Sequence, residues 1–172
     1  PSDPLTLRAA HRFEPPGAGF LLGTDKFGRD ILSRVIFGAR ISLWVGIVSV
    51  GIGAGLGSVI GVISGYAGGR ADLLVQRAMD AILAFPTLIL AITITAAMGI
   101  STTNTMVAIG IVMMPQVARV VRSAALTVKE HQFVEAARAV GCGHLRIVLR
   151  HVVPNVAAPI IVIATAGLGS AI

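Results

Sequence analysis

The sequence predicts an all-α, polytopic transmembrane helical bundle, and three observations carry that expectation. Hydrophobic residues make up 55% of the 172 residues and charged residues only 13%, against roughly 25% charged in an ordinary soluble domain. The mean hydropathy is +0.85. The charges are also clumped: no Asp, Glu, Lys or Arg occurs over 41–69, 81–118 or 152–172. A membrane-crossing helix needs about 20 apolar residues, so the first and third stretches hold one span each. The middle stretch is long enough for two, and Gly99-Ile100-Ser101-Thr102-Thr103-Asn104 divides it with turn-forming residues. The expected spans are therefore 42–66, 82–99, 105–122 and 153–172. A soluble core of buried helices would not call for three uncharged runs of membrane length.

Charge and cysteine usage narrow the function classes. The net charge is +6 and the pI about 11.1. The basic residues flank the apolar runs, which fits lipid head groups and topology rather than nucleic acid. Cys142 is single, so no internal disulfide is expected. Pro1 stands first, and the last apolar run stops at Ala171-Ile172 without a polar anchor. These features lead to the expectation that 1–172 is one membrane domain cut from a longer chain, with a further span beyond each end.

Residues 1–24 are punctuated by Pro1, Pro4, Pro15, Pro16, Gly17 and Gly19 and predict irregular backbone, with Thr24 or Asp25 able to cap the next helix. From Arg29 to Arg40, Ile31, Leu32, Val35, Ile36 and Ala39 recur at helical spacing among Arg29, Arg34 and Arg40, which predicts an amphipathic interfacial helix. The first span carries Gly53, Gly57 and Gly61 four apart. Such spacing lets helix backbones approach closely in lipid, and ordinary intramembrane packing is the favoured reading over a pathway lining. Asp72 and Asp80, eight apart, fall on one helix face. With Arg70 and Arg77 nearby they read as charges neutralised at the membrane border rather than as a paired-carboxylate site. Pro86 and Pro115 lie inside the second and third spans, where a missing backbone donor kinks a helix; both are candidate gating kinks.

The segment 123–151, with its flanks, is basic: Arg119, Arg122, Lys129, Arg138, Arg146 and Arg150 face Glu130 and Glu135. The positive-inside rule makes it cytoplasmic. Alternation then places 67–80 inside, and 99–104 and 1–40 outside. Six Lys/Arg in 1–40 pull the other way, so charge alone leaves the topology open. Within the loop, Thr127 and Glu130 fit a capping box. Phe133, Ala136, Ala137 and Val140 form one apolar stripe, and Gly141 supplies a left-handed stop. The expected helix is 128–140, too short and polar to span. That face can lie on the bilayer, pack on the other loop or fill a groove on a partner, and its central alanines favour a fitted surface over deep lipid insertion.

The run Glu135-Ala136-Ala137-x-x-x-Gly141, followed by Pro154-Asn155, resembles the EAA loop of permease subunits in bacterial ABC importers. The wider run Phe133-Val134-Glu135-Ala136-Ala137-Arg138-Ala139-Val140-Gly141, with Leu145-Arg146-Ile147 and Arg150-His151-Val152-Val153-Pro154-Asn155, is similar to the dipeptide/oligopeptide/nickel branch; Val153 replaces the usual Leu. Independently, Leu22-Gly23-Thr24-Asp25-x-x-Gly28-Arg29-Asp30-x-x-Ser33-Arg34 and Gly38-Ala39-Arg40-x-Ser42-Leu43 resemble the segment before the second span of C-type subunits in that branch. The resemblance implies the MetI-like fold of type I importer permeases. It implies a bacterial inner-membrane location, with 1–40 extracytoplasmic and 123–151 the cytoplasmic coupling loop. It also implies a homologous second permease, two ABC ATPase subunits and an extracytoplasmic solute-binding protein as partners. Glu135, Ala136, Ala137 and Gly141, with Phe133 and Arg138, would then couple to the ATPase. The cargo would be a di- or oligopeptide, or alternatively nickel or another small solute.

The sequence has no G-x-x-x-x-G-K-[ST] phosphate loop. The chain is therefore not expected to be an enzyme or to hold a cofactor, and ATP and Mg belong to a partner. His131 with Glu135, and His144 with His151, lack the H-E-x-x-H pattern or a Cys pair that would support a metal site. No charged residue sits near a span centre, which counts against a proton-coupled secondary transporter. A secondary transporter or channel, and a non-transporting scaffold, remain the alternatives from other classes.

Overall fold

The computed structural model describes residues 3–171, and side chains through residue 169. Residues 1, 2 and 172, the expected outer ends of the first segment and the fourth span, lie outside the described residues. The described chain is helical, with one isolated antiparallel bridge between Thr24 and Asp30. It divides into two compact units, 1–44 and 45–172.

In the first unit, irregular backbone and a single 3-10 turn at Ala9–His11 precede helix α1, Ile31–Ala67. Long-range backbone bonds close the irregular part: Arg8 to the Phe27 carbonyl (3.3 Å), Thr24 to Glu14 (3.0 Å) and Ile31 to Gly23 (3.1 Å). Asp25 organises it. Its carboxylate accepts from the Phe27 amide (2.8 Å), the Arg29 amide (3.0 Å), Arg29 Nε (2.8 Å) and Arg34 Nη1 (2.7 Å). Capping of α1 falls to Asp30, not to Thr24 or Asp25: Asp30 accepts from the Leu32 amide (3.2 Å) and Ser33 Oγ (2.6 Å). Thr24 is buried, with its hydroxyl tied to the His11 carbonyl and the Glu14 amide.

The expected interfacial helix at 29–40 and span at 42–66 are one continuous helix of 37 residues. No proline interrupts 31–67, and Gly38 alone does not stop helical propagation. At 1.5 Å per residue α1 is roughly 55 Å long, longer than the roughly 30 Å hydrocarbon core. Among the described residues, three helical stretches are long and apolar enough to cross a membrane: Ile31–Ala67, Thr102–Lys129 and His144–Gly169. The second expected span, 82–99, is instead a broken pair. Helix α2, Gly69–Leu83, meets α3, Thr87–Met98, at a 90° bend. Pro86 lies between them with ψ 127°, as the cap of α3, rather than inside a kinked helix. Helix α4, Thr102–Lys129, extends the expected span 105–122 at both ends and holds buried Pro115 within it.

Helix α4 is the hub of the second unit, with α2 and α3 packed on it together with the last helix, α7, Val153–Ala171. Its seam with α1 is built on glycine. A Cβ placed on Gly53, Gly57, Gly61 or Gly65 would sit 2.9, 2.6, 2.5 or 2.8 Å from the carbonyl oxygens of Gly110, Met114, Ala118 and Arg122. Both series advance by four in the same direction, so the two helices run parallel and finish at the same face. The small-residue spacing is thus intramembrane packing within the chain.

Candidate functional site

The site is built where α4 ends. The expected helix 128–140 does not start at Thr127: α4 continues through Lys129, and Thr127 Oγ1 donates to the Ser123 carbonyl (3.2 Å) inside it. Packing explains the extension, since Ala125 and Val128 are buried in the core and no breaker precedes Glu130. After Glu130 and His131 the chain turns into α5, Gln132–Ala139, with His131 at the N-cap position and no side-chain capping bond.

The end of α5 is set by Gly141. Its φ is +80°, a conformation that strains a residue carrying a Cβ. With it in place, the Gly141 amide bonds the Arg138 carbonyl (2.9 Å) and the Cys142 amide bonds that of Ala137 (3.0 Å), a Schellman closure. Helix α6, His144–Ile147, and a π-helical turn, Val148–Val152, lead into α7. Pro154 has no amide hydrogen for the Arg150 carbonyl, which removes one α-register bond where the turn widens.

The expected stripe of Phe133, Ala136, Ala137 and Val140 splits across two faces. Ala137 is buried with Val134 against Val128, Ile147 and Val152. Phe133 is 40% exposed, Val140 is 80% exposed, and Ala136 faces outward with them. The Phe133 ring stacks on His131 (5.4 Å between centroids, 13°) and lies 6.1 Å from His151. Glu135 is exposed and makes no ion pair among the described residues. Arg138 turns back onto its own chain, its guanidinium 5.9 Å from the Tyr66 ring, while Tyr66 Oη meets His144 Nδ1 at 2.9 Å. The end of α1 and the loop after α4 therefore share one face. Among the described residues no three His, Cys, Asp or Glu side chains converge on a possible metal position; His131 and His151 flank Phe133, and His144 holds Tyr66.

The carboxylates at the α2 end also differ from expectation. Their partners are not Arg70 and Arg77. Asp72 pairs with Arg122 in a two-pronged contact (Nε to Oδ1, 2.6 Å), and Asp80 pairs with Arg119 (2.7 Å), both across to α4. The Ser64 hydroxyl of α1 donates to Asp72, and Gln76 Nε2 donates to Ser64 Oγ (3.1 Å). Arg119 and Arg122 lie 39 and 50 residues from their partners, so no local spacing selects them over Arg70 and Arg77. Deeper in the bundle, Thr87, Met113, Gln116, Val117, Ile163 and Gly167 border a cavity of about 460 Å³ between α3, α4 and α7. Pro86 and Pro115 each adjoin one of its lining residues.

Residues 57–172 match the family described as binding-protein-dependent transport system inner membrane component. The chain is similar to the dipeptide transport system permease protein of Alkalihalophilus pseudofirmus, 45% identical over 163 residues, covering 95% of this chain and 54% of the relative. It is similar to the di/tripeptide transport system permease protein of Pseudomonas aeruginosa, 46% identical over 155 residues, covering 90% and 51%. It is also similar to the glutathione transport system permease protein of Pectobacterium atrosepticum, 39% identical over 159 residues, covering 92% and 53%. The chain spans about half the length of the curated relatives it matches. The helical bundle with its membrane-length helices, and a family match over most of the length, lead to one assignment: the chain belongs to the binding-protein-dependent transport system inner membrane components.

Proposed function

We propose that this chain supplies one half of the translocation pathway of an ATP-driven importer of di- or oligopeptides in a bacterial inner membrane. It works beside a homologous permease, two ATPase subunits and an extracytoplasmic binding protein. Helix α5 is the coupling element. The observation that carries this reading is its two-sided arrangement. Val134 and Ala137 are fixed in the core, while Phe133, Glu135, Ala136 and Val140 are exposed. A short helix held from one side, with exposed apolar residues and an exposed carboxylate on the rest of its surface, is suited to a partner's groove. Gly141 sets where that helix stops, and Arg138 braces it from behind through Tyr66. Movement of the ATPases is passed through α5 into α4. Pro86 and Pro115, beside the cavity between α3, α4 and α7, are where the spans adjust. The relatives named for dipeptides, tripeptides and glutathione support a peptide cargo.

Glu135→Arg in the full complex, reconstituted in proteoliposomes with its binding protein, tests the coupling role. Membrane insertion stays at the parent level, while uptake per ATP hydrolysed collapses. Normal coupled uptake in this variant overturns the assignment of Glu135. Co-purification separates the alternatives: an ATPase subunit accompanies the intact permease, whereas a secondary transporter or channel purifies without one.

A further inference from the structure

Helix α2 is amphipathic, precedes the 90° break at Ala84–Pro86, packs on α4 and is joined to it by two ion pairs. Asp72 and Asp80 lie on one of its faces, and Arg119 and Arg122 lie on the facing turns of α4. The inner pair is the stronger device. The Asp72 side chain is only 11% exposed and that of Arg122 30%. The contact is two-pronged, and the Ser64 hydroxyl brings α1 to the same carboxylate. A bidentate guanidinium–carboxylate contact fixes orientation as well as distance. The outer pair, Asp80 with Arg119, is about half exposed on both sides and adds direction rather than strength. Arg122 lies two turns before Lys129, where α4 gives way to the loop carrying α5.

We propose that Asp72 and Arg122, held by Ser64, are positioning residues for transport: they lock α2 to α4, so that displacement of the coupling loop carries α2 with it and re-aims the broken α2–α3 span. This rests on the coupling role of α5 proposed above. The physical argument is one of stiffness. Aliphatic contacts let helices slide by fractions of a turn, whereas a half-buried forked ion pair with a third helix attached admits one register. A lever from α5 to α3 needs one joint that does not slip. The break after Leu83 supplies a joint that bends, and the Asp72–Arg122 contact supplies the one that does not.

The test uses the full reconstituted complex. Asp72→Asn leaves a guanidinium unpaired and can unfold the chain, so Arg122→Lys is the informative single variant: it keeps the charge and loses the fork. The expected result is a complex of normal yield with bound ATPase, in which uptake per ATP falls roughly five- to tenfold, within the usual range of coupling between sites. The exchange Asp72→Arg with Arg122→Asp recovers part of that ratio. An unchanged ratio in Arg122→Lys overturns the proposal, as does a fall in thermal stability with the ratio preserved. Comparison with Glu135→Arg separates this idea from the one beneath it. Coupling lost at Glu135 and kept at Arg122 removes the lock alone. Coupling kept at Glu135 and lost at Arg122 removes the docking assignment and retains the lock.

Discussion

The α1–α4 seam and helix α5 use the same helical periodicity for opposite ends. Along the seam every fourth residue of α1 is a glycine, and every one faces a carbonyl of α4 at a distance that leaves no room for a methyl group. On α5 the apolar residues divide, Val134 and Ala137 inward and Phe133, Ala136 and Val140 outward. In lipid there is no hydrophobic drive between helices, so association depends on close backbone contact and the surface is used up within the chain. In water a helix of 8 residues is marginal by itself. It persists because one face is anchored, and the face left over is available to something else. An apolar stripe is therefore not a docking signal until it is known which part of it the chain has already used.

The largest effect expected from this contrast is at Gly61. A Leu there meets the Ala118 carbonyl and the Val121 side chain at once. Neither helix can withdraw without opening the neighbouring contacts at Gly57 and Gly65. Gly61→Leu should cost about 3 kcal/mol or more, at or beyond the upper end for overpacking, and should sharply reduce the folded fraction seen in thermal unfolding in detergent. Gly51 has nothing within 4 Å of a built Cβ, so Gly51→Ala should not lower stability and should gain up to about 1 kcal/mol of helix propensity. Equal behaviour of the two variants would break the account of the seam.

A crossed pair on α5 gives the next effect. Val134 is fully buried, so Val134→Ala removes about two buried methylene equivalents and should cost roughly 2 kcal/mol. Limited proteolysis of the loop reads that loss directly. Val140 is exposed, and Val140→Ala should leave proteolysis unchanged while weakening ATPase retention during purification. If both variants loosen the loop equally, α5 has no outward face reserved for a partner.

The sequence carried the helical class, the glycine seam, the Gly141 stop and the basic loop, because each rests on local spacing. It misplaced the start of α5, since Thr127 and Glu130 satisfy a capping pattern that burial of Ala125 and Val128 overrides by extending α4. It made two elements of α1 because Arg34 and Arg40 mark a polar boundary, although charged residues propagate a helix as readily as apolar ones. It placed Pro86 inside a span because hydropathy does not register direction, and a 90° turn leaves the composition apolar throughout. The partners of Asp72 and Asp80 were out of reach for a different reason: they lie 50 and 39 residues away, and only the packing of α2 on α4 selects them over Arg70 and Arg77.

The smallest effect concerns the irregular segment ahead of α1, which is held by charge where the seam is held by contact. Burial pushes the Asp25 carboxyl up, but amides from Arg29 and Phe27 and the Arg29 guanidinium outweigh it and hold its pKa at about 2, below the ordinary 3.8. A carboxyl depressed on folding adds stability that is complete above its unfolded pKa and lost as pH falls through its folded one. The segment should therefore resist an acid-active protease at about pH 5 and open progressively from about pH 4 towards pH 2. Asp25→Asn cannot gain the charge-dependent part, so its cleavage should already be raised at pH 5 and change less across that window. The seam contains no titrating group among Gly53, Gly57, Gly61 and Gly65 or the carbonyls they face, so cleavage there should follow neither the pH nor the Asn variant. Identical pH profiles for the parent and Asp25→Asn would mean that backbone bonds such as Thr24 to Glu14 and Ile31 to Gly23 hold the segment without help from the carboxylate. Charge and contact would then no longer distinguish these two parts of the chain.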